Sequence, residues 1–336
     1  MKQHFLLSAK ARTLSIVEVA RMSEDEARAA FRAVRFADNG GEPFCPYCGC
    51  DAIYEYAARR IFKCQACEKQ FSLTSGTIFA NRKLAVRDIL LAIAMFVNGA
   101  SGVAALRLGR ELNCSYKTAF VLAHKLREIM GTMRSKEKLT GIVEVDGVWV
   151  GGHIKPKNPK ESREDRRRIR KNEIKRLSIV TLRERRVGGR TLSFVFKREG
   201  DAIHTILAVT DDDAIIHVDK GAHWGTLGLH RDIKQVNHNK EYVAKGGVHT
   251  NWAESYNSRI RRAERGVHHR ISGRHLQGYA DEFAWREDYR RVSNGQQFAA
   301  VMRAGVLAPI SSEWKGYWQR RSGDDPGANR PVMRVP

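Results

Sequence analysis

No stretch of this chain is apolar for long enough to span a bilayer. The longest run, Ile89 to Val97, falls far short of the ~20 residues a spanning helix needs. The opening Met-Lys-Gln-His has none of the anatomy of a signal peptide. The chain is therefore expected to stay in the cytoplasm, associated with the nucleoid and apart from membranes. Cysteine is scarce: six residues in 336, five of them between positions 45 and 67, which is no disulfide framework. Acidic residues are outnumbered, 37 against 59 Lys and Arg, leaving a net charge of +22 and a pI near 10.0. A surplus of that size draws polyanions by releasing their counterions, so nucleic acid leads as partner. A membrane surface or a ribosome is the weaker alternative. There is no internal repeat. At 42% hydrophobic and 29% charged residues, the composition is that of a globular protein with room for two or three domains.

Periodicity organises the rest. Residues 1–40 read as a helical lead-in: Ser23 caps a run from Ala27 to Phe36, and Asn39-Gly40-Gly41 ends it. Residues 41–80 carry the cysteines. Residues 81–135 read as three helices, the first marked by Val86, Ile89, Leu90, Ile93 and Phe96. The second lies around Val103 to Leu112 and the third runs from Tyr116 to Met130. Residues 136–295 alternate strand-like runs (142–150, 177–182, 191–196 and 214–218) with helices expected at 202–209, 251–265 and 274–290. A loop-rich stretch is expected at 220–248. Residues 296–336 are a C-terminal extension, disordered beyond about residue 320.

Cys45-Pro-Tyr-Cys48 and Cys64-Gln-Ala-Cys67 are two CxxC knuckles with 15 residues between them. Four thiolates in two close pairs suit one tetrahedral Zn²⁺, and four leave no open position, so the ion is structural. A redox CxxC would need a surrounding βαβ pattern that is missing. Cys50 is too close to Cys48 to serve well, and Cys114 is a packed residue.

In the third helix, Lys117, His124, Lys125 and Arg127 fall on polar faces, while Phe120, Val121 and Leu126 can pack. This resembles the second helix of a helix-turn-helix, with Lys117 and Lys125 as DNA contacts; a solvated helical hairpin is the plainer alternative.

Two carboxylates end strand-like runs: Asp146 after Gly141-Ile-Val-Glu-Val, and Asp219 after Ala214-Ile-Ile-His-Val. Glu254 lies on a helix where Asn251, Glu254, Ser258, Arg261 and Arg265 share one polar face, with Trp252, Tyr256, Ile260 and Ala263 opposite. Three converging acids would hold two divalent cations, the arrangement that serves phosphoryl chemistry. Singly, each acid reads equally well as a cap or a solvated side chain. Glu144, on the same strand face as Asp146, carries no assigned role.

Taken in order, Phe44–Gly49, Gln70–Phe79, Tyr116–Phe120, Val143-Glu-Val-Asp-Gly147, Val218-Asp219, His249–Glu254, Gly266–His269, Arg274-His-Leu276 and Asp281-Glu-Phe283 resemble a known group. It is the insertion-sequence transposases with an N-terminal zinc ribbon and a DDE catalytic domain, the ISXO-type group. The resemblance implies an α/β fold: an RNase H-like domain, a mixed sheet with flanking helices, after a zinc ribbon and a helix-turn-helix-like segment. It implies that Asp146, Asp219 and Glu254 bind Mg²⁺ or Mn²⁺, that Arg261 stands in the basic position after the third acid, and that Asn251 is the rival third ligand. The implied activity is hydrolysis at transposon ends and strand transfer into target double-stranded DNA, by a homodimer or larger assembly. Two stretches depart from the pattern, Lys220-Gly-Ala-His-Trp224 and Arg286-Glu-Asp-Tyr289, and neither removes an acid.

The basic run 155–176, with Arg166, Arg167 and Arg168, is expected to be an arm that orders on phosphates, and Arg265 a further DNA contact. His268, His269 and His275 have no Cys or acid at ligand spacing and are expected to touch DNA or pack. Competing with transposition are an RNase H-like nuclease that does not join strands and a non-enzymatic DNA-binding regulator. Strand-transfer assays exclude the first, and loss of function in Asp146→Ala excludes the second.

Overall fold

A computed structural model describes residues 4–151, 176–237 and 241–320. The basic run with Arg166, Arg167 and Arg168, and the tail beyond 320, lie outside the described residues. The chain divides into two compact units, one from the N-terminus to Met133 together with the segment from Tyr289, the other from Arg134 to Asp288.

The first unit opens with α1 (Ile16–Arg21) and α2 (Glu24–Arg35), each begun by a reciprocal capping box: Ser15 with Glu18, and Ser23 with Glu26. A three-stranded antiparallel ribbon follows, β1 (Ile53–Tyr56), β2 (Ile61–Cys64) and β3 (Gln70–Phe71). Phe62 and Phe71 pack across it with ring centroids 5.2 Å apart. Then come α3 (Val86–Asn98), α4 (Ala105–Glu111) and α5 (Tyr116–Thr132). The central helix of this unit is α3, buried along nearly its whole length from Val86 to Val97.

Two features differ from the sequence expectations. His124 and Arg127 of α5 do not face water; they are 3% and 1% exposed. His124 stacks on Trp314 at 4.4 Å, and the Arg127 guanidinium sits 5.3 Å over the Phe96 ring. Both are polar groups on an apolar body, so spacing alone misplaces them. The extension also begins with a helix, α9 (Asn294–Leu307), capped reciprocally by Ser293 and Gln296. It packs so closely that the Phe79 ring stands 2.6 Å from where a Cβ on Gly305 would be.

The second unit is built on a five-stranded sheet. Its strands are β4 (Ile142–Gly151), β5 (Arg176–Glu184), β6 (Thr191–Phe196), β7 (Ile215–Asp219) and β8 (Asp232–Val236), with α6 (Ile203–Val209), α7 (Asn251–Ala263) and α8 (Leu276–Asp288) on its faces. The order is β6-β5-β4-β7-β8. β4, β5 and β6 run antiparallel, while β7 and β8 run parallel to β4. This is the mixed, helix-flanked sheet of an RNase H-like domain. β8 falls inside the stretch expected to be loop. It is an edge strand with mostly solvated residues, so it lacks the apolar run that marks its neighbours.

The period of two along each strand sorts the residues between two cores. Val143 and Val145 of β4, Val180 and Leu182 of β5, and Ile216 and Val218 of β7 pack with Ile206 and Val209 of α6 on one face. Val148 and Val150 pack with Tyr256, Ile260, Phe283 and Ala284 of α7 and α8 on the other. Glu144 and Asp146 share parity with Val148 and Val150, and so lie on the face that α7 and α8 cover.

Candidate functional site

The metal-binding cysteines come first in the chain. The Sγ atoms of Cys45, Cys48, Cys64 and Cys67 all lie within 4.8 Å of one another. Cys45–Cys67 and Cys48–Cys64 are 3.6 and 3.5 Å apart. Four sulfurs at ~2.3 Å around a tetrahedral ion would be separated by roughly 3.8 Å, so the donor set fits one structural Zn²⁺. The two knuckles repeat one geometry. The N–H of Cys45 closes onto the Cys50 carbonyl at 2.8 Å, and that of Cys64 onto Lys69 at 3.0 Å. Gly49 and Glu68 each take a positive φ at the matching step, 77° and 58°. The N–H groups of Tyr47 and Cys67 point at the sulfurs of Cys45 and Cys64. The N–H of Cys67 draws the Cys64 thiol down, while the neighbouring sulfurs push its partner Cys48 up, so the two share one proton between close sulfurs. Cys50 contributes its carbonyl to the knuckle, and its sulfur stands outside the cluster.

In the sheet unit, the parallel register pairs Val145 with Val218. One step further along both strands stand Asp146 and Asp219, on neighbouring strands about 4.8 Å apart. Thr181 of β5 is paired with Asp146 on the other side. Across the face runs α7, with Glu254 in its first turn. The Asp146 carboxylate accepts hydrogen bonds from the Gly147 N–H and from the side-chain amide of Asn257, both at 2.8 Å. Asn257 is fully buried and also accepts from the Thr181 hydroxyl at 3.3 Å. Burial pushes the Asp146 carboxyl up to about 6. The Asn257 amide and Gly147 N–H pull it back, and the charges of Glu254 and Glu199 push it up again. A buried carboxyl among like charges is the environment a hard divalent cation relieves, so the oxygen donors here fit Mg²⁺ or Mn²⁺.

Asp219 closes β7 with its carboxylate accepting from the Lys220 N–H at 2.7 Å. The Glu254 carboxylate accepts from the Thr250 hydroxyl at 2.9 Å. Among the described residues, only the four cysteines bring three or more ligand atoms within 4.8 Å of one another; Asp146, Asp219 and Glu254 do not form so tight a group.

Asn251 and Arg261 are exposed, one turn before and two turns beyond Glu254, and Arg265 is exposed just past the helix. Lys117 is exposed in the first turn of α5, whereas Lys125 is largely desolvated, which lowers its ammonium, with Glu128 acting against the shift. His268 packs edge-on against Tyr279. After Asp219 the unusual stretch has a structural use: Trp224 is buried in the core beneath the sheet, and His223 lies 3.4 Å from Glu199.

Sequence reasoning missed three polar residues that shape this site. Asn257 falls on the buried side of α7, in place of Trp252, which is half-buried with the Arg183 guanidinium 5.3 Å over its ring. Glu199 lies where a Gly147 side chain would be, its carboxylate 2.5 Å from the position of a Cβ, so a larger residue at 147 would push that carboxylate aside. Glu144 is fully buried against the start of α7. Its place two residues before Asp146 on the same face was the available signal.

A zinc ribbon followed by a mixed, helix-flanked five-stranded sheet of this order is the architecture of a zinc-ribbon protein with an RNase H-like domain. The transposase zinc-ribbon domain family matches residues 22–70, and the ISXO2-like transposase domain family matches residues 138–288. Over these two domains the chain resembles the DDE-type insertion-sequence transposases that carry an N-terminal zinc ribbon. It is 24% identical over 274 residues to a protein described as an uncharacterized protein in transposable element ISH50 of Halobacterium salinarum. The match covers 78% of this chain and 91% of that one. No solved structure matches the chain. No described helix is long and apolar enough to cross a membrane.

Proposed function

We propose that this transposase hydrolyses phosphodiester bonds at the ends of its element and transfers the freed 3′-hydroxyls into target DNA, with Asp146, Asp219 and Glu254 as the acidic residues of the site. The observation that carries this reading is the β4–β7 register, which sets Asp146 beside Asp219 on the face that α7 crosses with Glu254. Two divalent cations held there would supply charge neutralisation at the phosphate and lower the proton affinity of the attacking oxygen.

The chain's own residues do the rest. Asn257 and the Gly147 N–H orient the Asp146 carboxylate so that its lone pairs are not free to wander. Arg261, on the exposed side of α7, and Arg265, exposed just past its end, lie where a phosphate backbone following the helix would pass. Lys117 at the start of α5 and the run with Arg166, Arg167 and Arg168 add sequence-independent attraction, consistent with the net charge of +22. Two element ends must be joined in one event, which calls for a homodimer or larger assembly on DNA.

The test is cleavage and strand transfer in Mg²⁺ on DNA carrying the element's ends. Asp219→Asn should lose both steps and keep end binding. Glu254→Ala should do the same, while Asn251→Ala retains activity. Cleavage by Asp219→Asn removes that residue from the site. Loss in Asn251→Ala with retention in Glu254→Ala makes Asn251 the third ligand. Cleavage without joining makes the protein a nuclease.

A further inference from the structure

One step behind the acids lies a second polar row on the same face. Glu144 is paired with Arg183 of β5 on one side and with His217 of β7 on the other. Glu144 is fully buried, and it is no passive occupant of that position. One carboxylate oxygen accepts the N–H groups of Trp252 and Ala253, at 2.8 and 3.2 Å. These are donors of the first turn of α7, which have no partner within the helix. The other oxygen accepts from Arg185 Nε at 2.7 Å and lies 3.2 Å from His249 Nδ1.

Arg185 then reaches the segment that leads into α7. It donates to the carbonyls of Gly247 and His249, at 2.7 and 2.6 Å, and bonds His217 Nδ1 at 2.9 Å. Burial, with the Arg185 charge next, holds His217 down at about 4, so its ring is neutral and accepts that bond. The helix is thus fastened to the sheet twice. Glu144 grips residues 252 and 253, Asn257 grips Asp146, and Glu254 lies between the two attachments.

We propose that Glu144 is a positioning residue for the metal site: its carboxylate anchors the N-terminus of α7 to β4 and thereby sets Glu254 against Asp146. This rests on the reading of Asp146, Asp219 and Glu254 as metal-holding acids. A carboxylate is suited to the task because a helix N-terminus offers convergent N–H donors and a positive dipole end. Stability alone does not explain it, since an apolar residue could fill the position without the desolvation cost of a buried ion. A ligand-orienting contact of this kind is worth ~10-fold or more in metal affinity.

The experiment titrates Mn²⁺ onto the full-length protein, read by electron paramagnetic resonance, with thermal melting of each metal-free variant alongside. Glu144→Gln keeps the shape and loses the charge. Glu144→Asp keeps the charge beside Arg185 but is one methylene too short to reach the Trp252 and Ala253 N–H groups, which guards against simple unfolding of the first variant. Asp146→Asn serves as the reference. The expected result is that Asp146→Asn leaves the free Mn²⁺ signal undiminished, while Glu144→Asp melts near the wild-type temperature and binds Mn²⁺ about tenfold more weakly. If Asp146→Asn loses Mn²⁺ and Glu144→Asp binds it as the wild type does, the positioning role is wrong and the acidic site stands. If Asp146→Asn binds Mn²⁺ unchanged, the reading of the acids fails and the positioning role falls with it.

Discussion

Replacing Asn257 by alanine should make one carboxyl group harder to ionise, and the size of the effect follows from two contacts. The Asn257 amide donates to Asp146 at 2.8 Å in a site that burial has already pushed to about 6. A hydrogen bond to a charged group contributes about 1.5–3 kcal/mol. At 1.36 kcal/mol per unit, its loss should raise the Asp146 carboxyl by about one to two units, to about 7–8. The sign is definite. A carboxyl raised in the folded state costs stability progressively as pH climbs from its ordinary value through its folded one. In the wild type that cost is complete just above pH 6; in Asn257→Ala it goes on accumulating to about pH 8. The metal-free variant should therefore melt about 4–8 °C lower than wild type at pH 8.5, taking ~2 kcal/mol and 2–4 °C per kcal/mol. At pH 5, where Asp146 is protonated in both proteins, the gap should be clearly smaller. Thermal denaturation at the two pH values, with the pH midpoint of Mn²⁺ binding as a second readout, measures it. An equal gap at pH 5 and 8.5, or a Mn²⁺ midpoint that does not move to higher pH, would refute the assignment of Asn257 to the ionised carboxylate.

Two further outcomes are expected. Cys64→Ser, or chelation, should release one equivalent of zinc by mass spectrometry, unfold the 45–71 ribbon in far-UV circular dichroism and weaken end-DNA binding; zinc-free protein that binds DNA normally contradicts the ribbon assignment. His217, held neutral at about 4 against an ordinary value of 6.5, should cost the protein stability as pH falls from 6.5 toward 4, because the unfolded chain accepts a proton that the native state refuses. Asp146 pulls the opposite way in that range, so the measurement is the urea midpoint of wild type minus His217→Gln at pH 7 and pH 5. A difference that does not change with pH means that His217 is not held neutral.

How far the chain could be read without its fold depended on whether a feature's cause was local. Cys45, Cys48, Cys64 and Cys67 could be assigned because ligand spacing within a knuckle is short-range covalent geometry. The start of α2 could be read because a cap acts within three residues, as Ser23 does on the Glu26 N–H. α9 starts behind the same kind of local cap, Ser293 with Gln296. β8 offered none, since an edge strand with exposed side chains needs no apolar run.

For the acidic site, sequence by itself determined that Asp219 ends a strand, the helical face that carries Glu254 and Arg261, and the pair of cysteine knuckles; Asp146, expected to end a strand as well, stands in the middle of β4, which runs on to Gly151. Tertiary structure alone decided which polar residues are buried and what they hold. Glu144, Asn257, Arg185 and His217 look like solvated or minor positions in the linear chain, because a buried charge is tolerable only when partners from distant segments surround it. Those partners arrive only when β4, β5 and β7 pair and α7 crosses them: Trp252 and Ala253 reach Glu144 across more than a hundred residues of chain. Pairing register and burial are properties of the assembled sheet, which is why the contacts that orient Asp146 and the start of α7 could not be read from the linear chain.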